Sequence, residues 1–553
     1  MTTTSPPIPQ PSPRADADGT DHAGLLAALA GLVSAGLALG VAELVAAFGS
    51  GAPSPVIAVG DVFVEETPGD VVRTSIETLG SNQKPALVIG IVLASLVLGA
   101  VLGRAGRTRP VVPLIGFGAF GLLGIVAAAT YESDVVLSTM VGSAVGAVAG
   151  YAALRGLLRR LGDPARPIEP SAERYGDSAE EHGEVVSAPI ASPTDPPATR
   201  RSFFGWTAAG AATAVVAGAS GRRLASRSSV ESARLDVAAD GTFTGPDDIV
   251  TRLDTLDDVS GVAPYFTPND DFYRIDTALV VPQVDPANWS LTISGMVDEP
   301  IELTFDELMG MDMIAEAVTI ACVSNNVGDD LVGNAVWQGV PLASLLERAG
   351  VQSDASQVVG RSVDGWTAGF PLELAMDGRP AMVAVAMNGE PLPTAHGFPA
   401  RLIVPGLYGY VSATKWLSEI EITTWDAFDG YWIPRGWSKE GPIKTQSRID
   451  VPRRGTEVAA GTVAVGGVAW APTRGIERVE VQVDDGPWNE VRLGDVVSDR
   501  TWVQWVWDWD ATPGEHTLRV RATDGDGETQ SEDNVSPAPN GAEGWHTIRV
   551  DVA

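Results

Sequence analysis

Long apolar runs dominate the first 160 residues of the chain. Four runs approach or exceed the roughly 20 residues that cross a bilayer as a helix: Ala23–Phe48, Pro85–Gly103, Val111–Thr130 and Val135–Leu154. The single charged residue within them is Glu43, near the end of the first run, where a position at the membrane surface is the favoured interpretation. Their high Gly and Ala content is typical of helices that pack closely in lipid. We therefore predict a transmembrane region of four helices over residues 23–160, after a cytoplasmic tail of residues 1–22.

The positions of arginine predict the orientation of these helices. Three arginines fill the short loop after the second run and three more follow the fourth run: Arg104, Arg107, Arg109, Arg155, Arg159 and Arg160. The other two loops carry mostly acidic residues. Because short cytoplasmic loops are enriched in positive charge, we expect the N-terminus and the segment after the fourth run to lie in the cytoplasm.

A polar segment and a fifth apolar run follow. Residues 161–199 are rich in Pro, Ser, Asp and Glu without apolar periodicity, which predicts a disordered cytoplasmic linker. Arg200 and Arg201 then precede the uncharged run Gly205–Ser220. This pattern resembles a twin-arginine export signal, and the alternative is an ordinary fifth span with a positive cytoplasmic flank. Both interpretations make residues 200–221 a transmembrane segment and place the rest of the chain outside the cytoplasm.

The next residues mix short strand and helix patterns. Trp289–Val297 alternates in polarity like a strand, Thr304 can cap a short helix, and Pro341 is expected to be the first residue of another. Met382–Met387 is a strand pattern that enters a tight turn at Asn388-Gly389. Since the chain shows no regular βαβ alternation and no Gly-rich dinucleotide motif, these patterns predict an α+β fold.

The last part of the chain has an all-β pattern. Short β-rich runs such as Val463–Trp470 and Thr517–Ala522 are separated by Asp-Gly and Pro-Gly turn signals. About seven strands at this spacing predict an immunoglobulin-like β-sandwich. We place this sandwich at residues 446–553 and the α+β domain at residues 222–445.

Charge and cysteine content narrow the chemistry. The net charge of −33 argues against a nucleic-acid partner, because phosphate binding needs basic clusters. The one cysteine, Cys322, excludes an intrachain disulfide and any zinc or iron–sulfur site built from several cysteines of the chain. Since Cys322 follows the strand pattern Ala317–Ala321, a small buried core residue is one interpretation. As a thiolate it would instead bind a soft metal, which must arrive inside an organic cofactor that supplies the remaining ligands.

Several short motifs follow one another along the chain before, at and after this cysteine: Phe272-Tyr273-Arg274, Thr319–Asn325, Asn388–Arg401, Val404-Pro405-Gly406 and Lys415-Trp416-Leu417. Together they resemble the sulfite oxidase family of molybdopterin-dependent oxidoreductases, from about Phe266 to the end of the chain. The resemblance includes the β-sandwich that follows the cofactor domain in that family, and it does not cover residues 1–220. It implies a molybdenum–molybdopterin cofactor and oxygen-atom transfer coupled to two electrons, and it allows a homodimer through the sandwich.

The resemblance assigns roles residue by residue. Cys322 matches the cysteine whose thiolate binds molybdenum. The positions that match the cofactor-binding residues are Phe272, Tyr273, Arg274, Asp364, His396, Arg401, Ala413, Thr414 and Lys415. Arginine, lysine and protonated histidine are natural donors to the phosphate that ends the pterin. For His396 alone, a turn histidine satisfied by the backbone is the alternative.

The substrate positions depart from the family pattern. Sulfite oxidases carry arginines after the asparagine that matches Asn325, whereas Asn326 and Val327 follow it here. A tryptophan, Trp437, stands where sulfite oxidases have a tyrosine, and Arg474 matches another substrate arginine. The catalytic candidates are Cys322, Arg274, Arg474 and Trp437. The sequence therefore leaves two substrate classes open: sulfite and a less charged oxo-substrate.

The electron partner is expected to be a separate carrier. The chain has no Cys-x-x-Cys-His haem motif, and its predicted spans contain no histidine. We therefore predict a multi-pass cell-membrane oxidoreductase whose catalytic domain lies outside the cytoplasm and acts on a small oxyanion or oxo-substrate. The alternatives are a reductase of a sulfoxide or nitrogen oxide on the same cofactor, and a non-enzymatic surface binding protein.

Overall fold

The computed structural model describes residues 17–49, 53–68, 71, 74–75, 78–79, 82–130, 136–161, 200–227, 230–250 and 253–553. The chain divides into two compact units, one formed by residues 1–66 with 75–228 and the other by residues 67–74 with 229–553. The linker predicted from sequence lies outside the described residues, except for its first residue, Leu161.

The first unit is helical. Its helices in the described residues are α1 (Ala17–Ala46), α2 (Pro55–Glu66), α3 (Gln83–Gly106), α4 (Val111–Ala128), α5 (Val136–Leu161) and α6 (Arg200–Arg227). Five segments are long and apolar enough to cross a membrane: His22–Ala46, Gln83–Gly106, Val111–Ala128, Val136–Leu161 and Ser202–Gly221. They coincide with the five apolar runs of the sequence. Helix α2, with 12 residues, is too short to span a bilayer and lies where the sequence pattern indicated only a loop.

Glycines let the helices of this unit approach backbone to backbone. A Cβ atom on Gly31 of α1 would lie 2.0 Å from the carbonyl oxygen of Gly99 in α3. A Cβ atom on Gly146 of α5 would lie 2.5 Å from the carbonyl oxygen of Ala38 in α1. Large apolar side chains such as Ile115 remain exposed on the outside of the unit. Close contact through small residues with apolar side chains outside is the pattern of helices that associate in lipid.

The second unit begins with α7 (Glu231–Asp240) and α8 (Pro246–Val250). Its first ten strands are β1 (Ser290–Gly295), β2 (Ile301–Thr304), β3 (Ile314–Ala321), β4 (Val332–Pro341), β5 (Gln357–Ser362), β6 (Thr367–Pro371), β7 (Met382–Met387), β8 (Glu390–Pro391), β9 (Arg401–Ile403) and β10 (Leu417–Thr423). Short helices lie between them: α9 (Phe305–Met309), α10 (Leu342–Ala349), α11 (Glu373–Met376) and α12 (Gly409–Ser412). One sheet has the order β2-β1-β10-β5-β6 with β1 and β10 parallel, and the other has the order β3-β4-β7-β8 with β9 beside β7. This arrangement is the α+β fold that the sequence predicts.

Local sequence signals explain several of these elements. Thr304 caps α9 in a capping box, as predicted. Pro341 was expected to be the first residue of α10. It is instead the last residue of β4 and the N-cap of α10, which begins one residue later, at Leu342. Gly350 ends α10 with a φ of +69°, a conformation that glycine adopts without strain. Asn388-Gly389, with φ values of 51° and 86°, forms the turn between β7 and β8.

The remainder of the second unit is all β. Its strands are β11 (Gln446–Val451), β12 (Glu457–Val458), β13 (Gly461–Trp470), β14 (Ile476–Val483), β15 (Trp488–Glu490), β16 (Arg492–Leu493), β17 (Val503–Ala511), β18 (Gly514–Asp524) and β19 (His546–Val552). They form a four-stranded sheet of order β11-β13-β17-β16 and a five-stranded sheet of order β12-β19-β18-β14-β15. Buried side chains from both sheets, including Val465, Trp505, Val481 and Leu518, share one hydrophobic core. The two sheets therefore pack against each other through their apolar faces.

Candidate functional site

Cys322 lies directly after β3, at the start of the loop that leads to β4. Its N–H donates to the carbonyl oxygen of Leu331 at 2.9 Å, and the N–H of Asn325 donates to the carbonyl oxygen of Cys322 at 3.1 Å. The side-chain oxygen of Asn325 also accepts the N–H of Leu331 at 2.8 Å. These bonds close residues 322–331, which we name the Cys loop, and they fix the backbone of the cysteine.

The surroundings of the Cys322 thiol act on its charge in opposite directions. Burial raises the pKa of the thiol, while the N–H of Ser324, 3.4 Å from Sγ, and the charge of Lys415 lower it. Burial also raises the pKa of Tyr273 and Tyr408, and the charge of Cys322 raises both further. Burial is the largest of these effects, so the pKa of the Cys322 thiol lies above its usual value, while the cation and the backbone donor beside it favour the thiolate, the form that binds a soft metal.

Three of the predicted cofactor-binding residues come from separate elements and lie together. His396 ends a short 3₁₀ turn, Arg401 begins β9, and Lys415 precedes β10. Nη1 of Arg401 donates to the carbonyl oxygen of His396 at 3.0 Å, and its guanidinium carbon lies 4.9 Å from the ring centroid of Trp337. Gly397, with a φ of +113°, permits this proximity, since a Cβ atom there would lie 3.1 Å from both Arg401 and Lys415.

Burial makes positive charge costly at these three side chains. Together with the charges of Lys415 and Arg401, it lowers the pKa of His396 to about 3, so the ring is neutral and not the protonated donor expected from sequence. Burial also lowers the pKa of Arg401 to about 10 and that of Lys415 to about 8. An anion bound beside them would offset this desolvation and raise all three pKa values.

Buried polar atoms in this region have no hydrogen-bond partner among the described residues. They are Nδ1 of His396, Nε of Arg401 and Oγ1 of Thr414. A buried polar atom without a partner costs about 1–3 kcal/mol, so several in one place indicate groups that bind a ligand. Two cations and spare hydrogen-bonding atoms fit an anionic cofactor that ends in phosphate. We name Cys322, His396, Arg401, Thr414 and Lys415 the cofactor cluster.

The metal ligands available also fit such a cofactor. Within the described part of the chain, no three His, Cys, Asp or Glu side chains are grouped so that they could hold a metal ion. A metal bound to Cys322 would therefore need further ligands from an organic group.

Aromatic residues border the cofactor cluster. Phe272 stacks on Tyr273 with 5.3 Å between ring centroids, and it meets the His396 ring edge to face at 5.7 Å. Ala413 is buried directly before Thr414. The structure therefore brings these predicted binding residues to one place.

Asp276 is a residue of this region that sequence reasoning missed. Its side chain is only 6% exposed. The carboxylate accepts hydrogen bonds from Nε of Arg274 at 2.9 Å and from Nζ of Lys415 at 3.1 Å. Burial and the charge of Asp276 raise the pKa of Asp364, opposed by the hydroxyl of Ser362, which places Asp364 beside this ion pair. The available signal was the spacing of Asp276, two positions after Arg274, which puts both side chains on one side of an extended segment.

Trp437 lies in a buried aromatic group with Tyr410 and Trp432, with ring centroids 5.9 Å and 6.4 Å away. Its indole N–H is buried and has no acceptor in the part of the chain that the structure describes. Lys439, two residues further on, donates to two backbone carbonyls and to the carboxylate of Asp429. All three donors of the lysine are thereby used, so it does not replace the missing substrate arginine.

Arg474 is held by an ion pair. Its Nε donates to the buried carboxylate of Asp524 at 2.9 Å, and its Nη2 donates to Thr445 Oγ1 at 3.1 Å. Burial first, and then the charge of Cys322, raise the pKa of Tyr408 to about 12, against the charge of Arg474, which lowers it. Arg474 and Cys322 therefore both lie near this tyrosine.

Comparison with known proteins gives matches over the same region. The family model described as oxidoreductase molybdopterin binding domain matches residues 278–432. An uncharacterized oxidoreductase of Bacillus subtilis, YuiH, is 36% identical over 157 residues, which are 28% of this chain and 76% of the relative.

Two further matches are longer. The mitochondrial sulfite oxidase of Macaca fascicularis is 29% identical over 343 residues, 52% of this chain, so the chain spans 62% of the length of that relative. Among solved structures, the sulfane dehydrogenase SoxCD from Paracoccus pantotrophus aligns with a TM-score of 0.47 and 22% identity, over 54% of this chain and 88% of that one.

Proposed function

Because the chain belongs to the sulfite oxidase family of molybdopterin-dependent oxidoreductases, we propose that it is a membrane-anchored enzyme that transfers an oxygen atom to or from a small oxo-substrate. The family match implies a molybdenum–molybdopterin cofactor, as the motifs predict. The observation that carries the proposal is the position of the single cysteine, Cys322, beside a cluster of buried donors without partners. When bound, the cofactor supplies two-electron oxygen-atom transfer, with Cys322 as the protein ligand to its metal.

We propose different binding roles for the residues of the cofactor cluster. Arg401 and Lys415 would supply positive charge to the anionic end of the cofactor, and Thr414 would supply a hydroxyl donor. Nε2 of the neutral His396 bonds to the carbonyl oxygen of Asn269 at 3.2 Å, so its Nδ1 would be an acceptor for a donor group of the cofactor. The stacked rings of Phe272 and Tyr273 lie beside the cluster, and the buried carboxyl group of Asp364 would be a polar contact to the pterin.

The arginines of the proposed substrate site favour a substrate of low charge. Arg274 is paired with Asp276, which it shares with Lys415, and Arg474 is paired with Asp524, so a buried carboxylate reduces the effective positive charge of each arginine. Beyond the cysteine, Asn326 donates to Asp329 at 2.7 Å and supplies no positive charge. The indole N–H of Trp437 adds a neutral donor. We therefore propose that a neutral or singly charged oxo-substrate is preferred to sulfite.

Steady-state kinetics on the molybdenum-loaded protein test this preference. Each missing charge-assisted contact to a buried anion costs roughly 1.5–3 kcal/mol, or about a ten- to hundredfold loss in binding. Sulfite should therefore show a high KM or no turnover, while sulfoxides, or nitrate in the reductive direction with an artificial electron carrier, compete well. A micromolar KM for sulfite at moderate salt would contradict the proposed pocket charge.

The same proposal covers the position of the enzyme in the cell. Five apolar helices support a multi-pass membrane anchor, and the last of them follows Arg200-Arg201 at the start of α6. A twin-arginine route exports folded proteins, which suits a protein that receives its cofactor inside the cell. Replacing Arg200 and Arg201 by lysine should leave the first four spans inserted and keep a reporter fused after Ala553 in the cytoplasm. A reporter that still reaches the outside would favour an ordinary fifth span.

The partners and the last domain complete the proposal. We assign residues 446–553 to an immunoglobulin-like domain, supported by two sheets packed around one core, and we propose that a homodimer forms through it. Electrons pass to or from a separate carrier.

A further inference from the structure

The Cys loop is held by the C-terminal strands as well as by its own hydrogen bonds. Arg448 of β11 donates Nη1 to the carbonyl oxygen of Asp329 at 3.0 Å. His546, the first residue of β19, packs directly on Gly328. A Cβ atom on Gly328 would lie 2.3 Å from Cδ2 and 2.4 Å from Nε2 of His546, and the φ of Gly328 is +86°. Glycine is therefore required at this point of the loop.

The strand that leads to Cys322 is held from the same side. The N–H of Thr319 in β3 donates to the carbonyl oxygen of Arg500 at 3.0 Å, and its Oγ1 accepts the N–H of Trp502 at 2.7 Å. Nη2 of Arg500 donates to Glu316 at 2.8 Å. Contacts with the all-β part of the second unit thus precede and follow the cysteine. We name Thr319, Asp329, Arg448, Trp502 and His546 the C-terminal contact.

The His546 ring is fixed in one orientation and one tautomer. Its Nδ1 accepts the N–H of Ile449 at 3.0 Å, so the ring proton is on Nε2, which faces Gly328. Burial lowers the pKa of His546 to about 4. Four charged groups face it, of which Arg454 and Arg448 lower this pKa and Asp450 and Asp329 raise it. The ring is neutral and packs between β11 and the Cys loop.

We propose that His546 is a positioning residue for Cys322: its ring holds Gly328, and through it the Cys loop, in the conformation that places the thiol. The proposal rests on the proposed function, because the position of the thiol matters for binding the metal. The two remain separable, since the mobility of the loop is measurable in the chain without cofactor.

The rate at which the Cys322 thiol is alkylated tests this role. Cys322 is the only cysteine, so alkylation by iodoacetamide reports on one site. The full chain is purified from a host that makes no molybdopterin, and alkylation rates are compared for the wild-type chain and for His546→Asn. Asparagine keeps an acceptor for the Ile449 N–H but lacks the ring atoms that contact Gly328. We expect alkylation to be at least about fivefold faster, because the loop opens more often.

A matched control is His516 of β18, whose Nδ1 pairs with Asp484 at 2.8 Å and whose Nε2 bonds to Thr512. His516→Asn should leave the alkylation rate unchanged. In the molybdenum-loaded chain, the absorption band of the thiolate–metal bond should shift in His546→Asn and not in His516→Asn. Equal alkylation rates in the wild-type chain and His546→Asn would overturn the proposal.

A second variant tests the same proposal if His546→Asn does not fold. Gly328→Ala places a methyl group against the imidazole and should accelerate alkylation in the same way, and an unchanged rate would overturn the proposal. Faster alkylation in these variants, combined with full molybdenum turnover in Cys322→Ser, would contradict the proposed function and leave the positioning role supported.

Discussion

The cofactor cluster and the C-terminal contact are two polar regions beside the same cysteine, and they differ in how their hydrogen bonds are used. In the C-terminal contact, Oγ1 of Thr319 bonds to Asn334 at 3.1 Å and accepts the N–H of Trp502 at 2.7 Å. In the cofactor cluster, Oγ1 of Thr414 and Nδ1 of His396 have no partner in the described chain. Both threonines are completely buried. Paired groups hold the protein together, whereas unpaired ones that lie beside two cations and a cysteine fit a bound ligand.

The largest effect that separates the two regions is expected at the cysteine. Cys322→Ser should abolish turnover and leave the melting temperature nearly unchanged, because serine is similar in size but offers a much harder oxygen to the metal. Turnover and thermal unfolding of the purified full chain provide the measurement. If Cys322 were only a core residue, the variant would lose a little stability and keep its activity. Normal turnover in metal-loaded Cys322→Ser would therefore contradict its assignment as a ligand.

Cofactor retention should depend on pH through Lys415. Its pKa is lowered to about 8, so the charge that binds the anionic cofactor is present below that pH and is lost as the pH rises through it. Molybdenum per protein after dialysis should therefore be constant below about pH 8 and should fall as the pH rises above it, because affinity for the anion declines from the pKa of the free lysine upward.

Two variants sharpen this measurement. Lys415→Arg should retain the cofactor to higher pH, since arginine keeps its charge. Asp276→Asn should move the loss to lower pH, because the charge of Asp276 raises the pKa of Lys415. A retention profile that is identical in Asp276→Asn and the wild-type chain would contradict the role given to this ion pair.

The smallest effect concerns the two buried threonines in the chain without cofactor. Thr319→Val removes a partner of the Trp502 N–H and should lower the free energy of unfolding by about 1–3 kcal/mol. Thr414→Val removes a hydroxyl without a partner in the described residues, so it should not lower the free energy of unfolding and should raise it by up to about 1–3 kcal/mol. Thermal or denaturant unfolding followed by tryptophan fluorescence compares the two. Equal losses would mean that Thr414 has a structural partner and that the contrast between the regions is wrong.

Features that depend on residues close together in the sequence could be predicted, whereas features that depend on residues far apart could not, except where a family motif includes them. The apolar runs, the cap at Thr304 and the turn at Asn388-Gly389 depend on neighbouring residues, and the structure has them where the sequence predicts. The motifs around Cys322 predicted the family and its cofactor, because a family pattern carries the geometry of distant residues with it.

The remaining features depend on residues far apart in the chain. His546 meets Gly328 across more than two hundred positions, and neither position carries a local signal. The neutral state of His396 is set by burial beside two cations, which no spacing encodes. Asp276 was visible as a carboxylate in the matched segment, but its pairing with Lys415 appears only in three dimensions.

Molybdenum K-edge X-ray absorption on the loaded full chain tests the central claim most directly, since it counts the sulfur atoms bound to the metal. If Cys322 is the protein ligand in the cofactor cluster, the wild-type chain should show one more sulfur neighbour than Cys322→Ser, with a shorter oxygen or nitrogen neighbour in its place. An unchanged sulfur count in a molybdenum-loaded Cys322→Ser variant would contradict the claim.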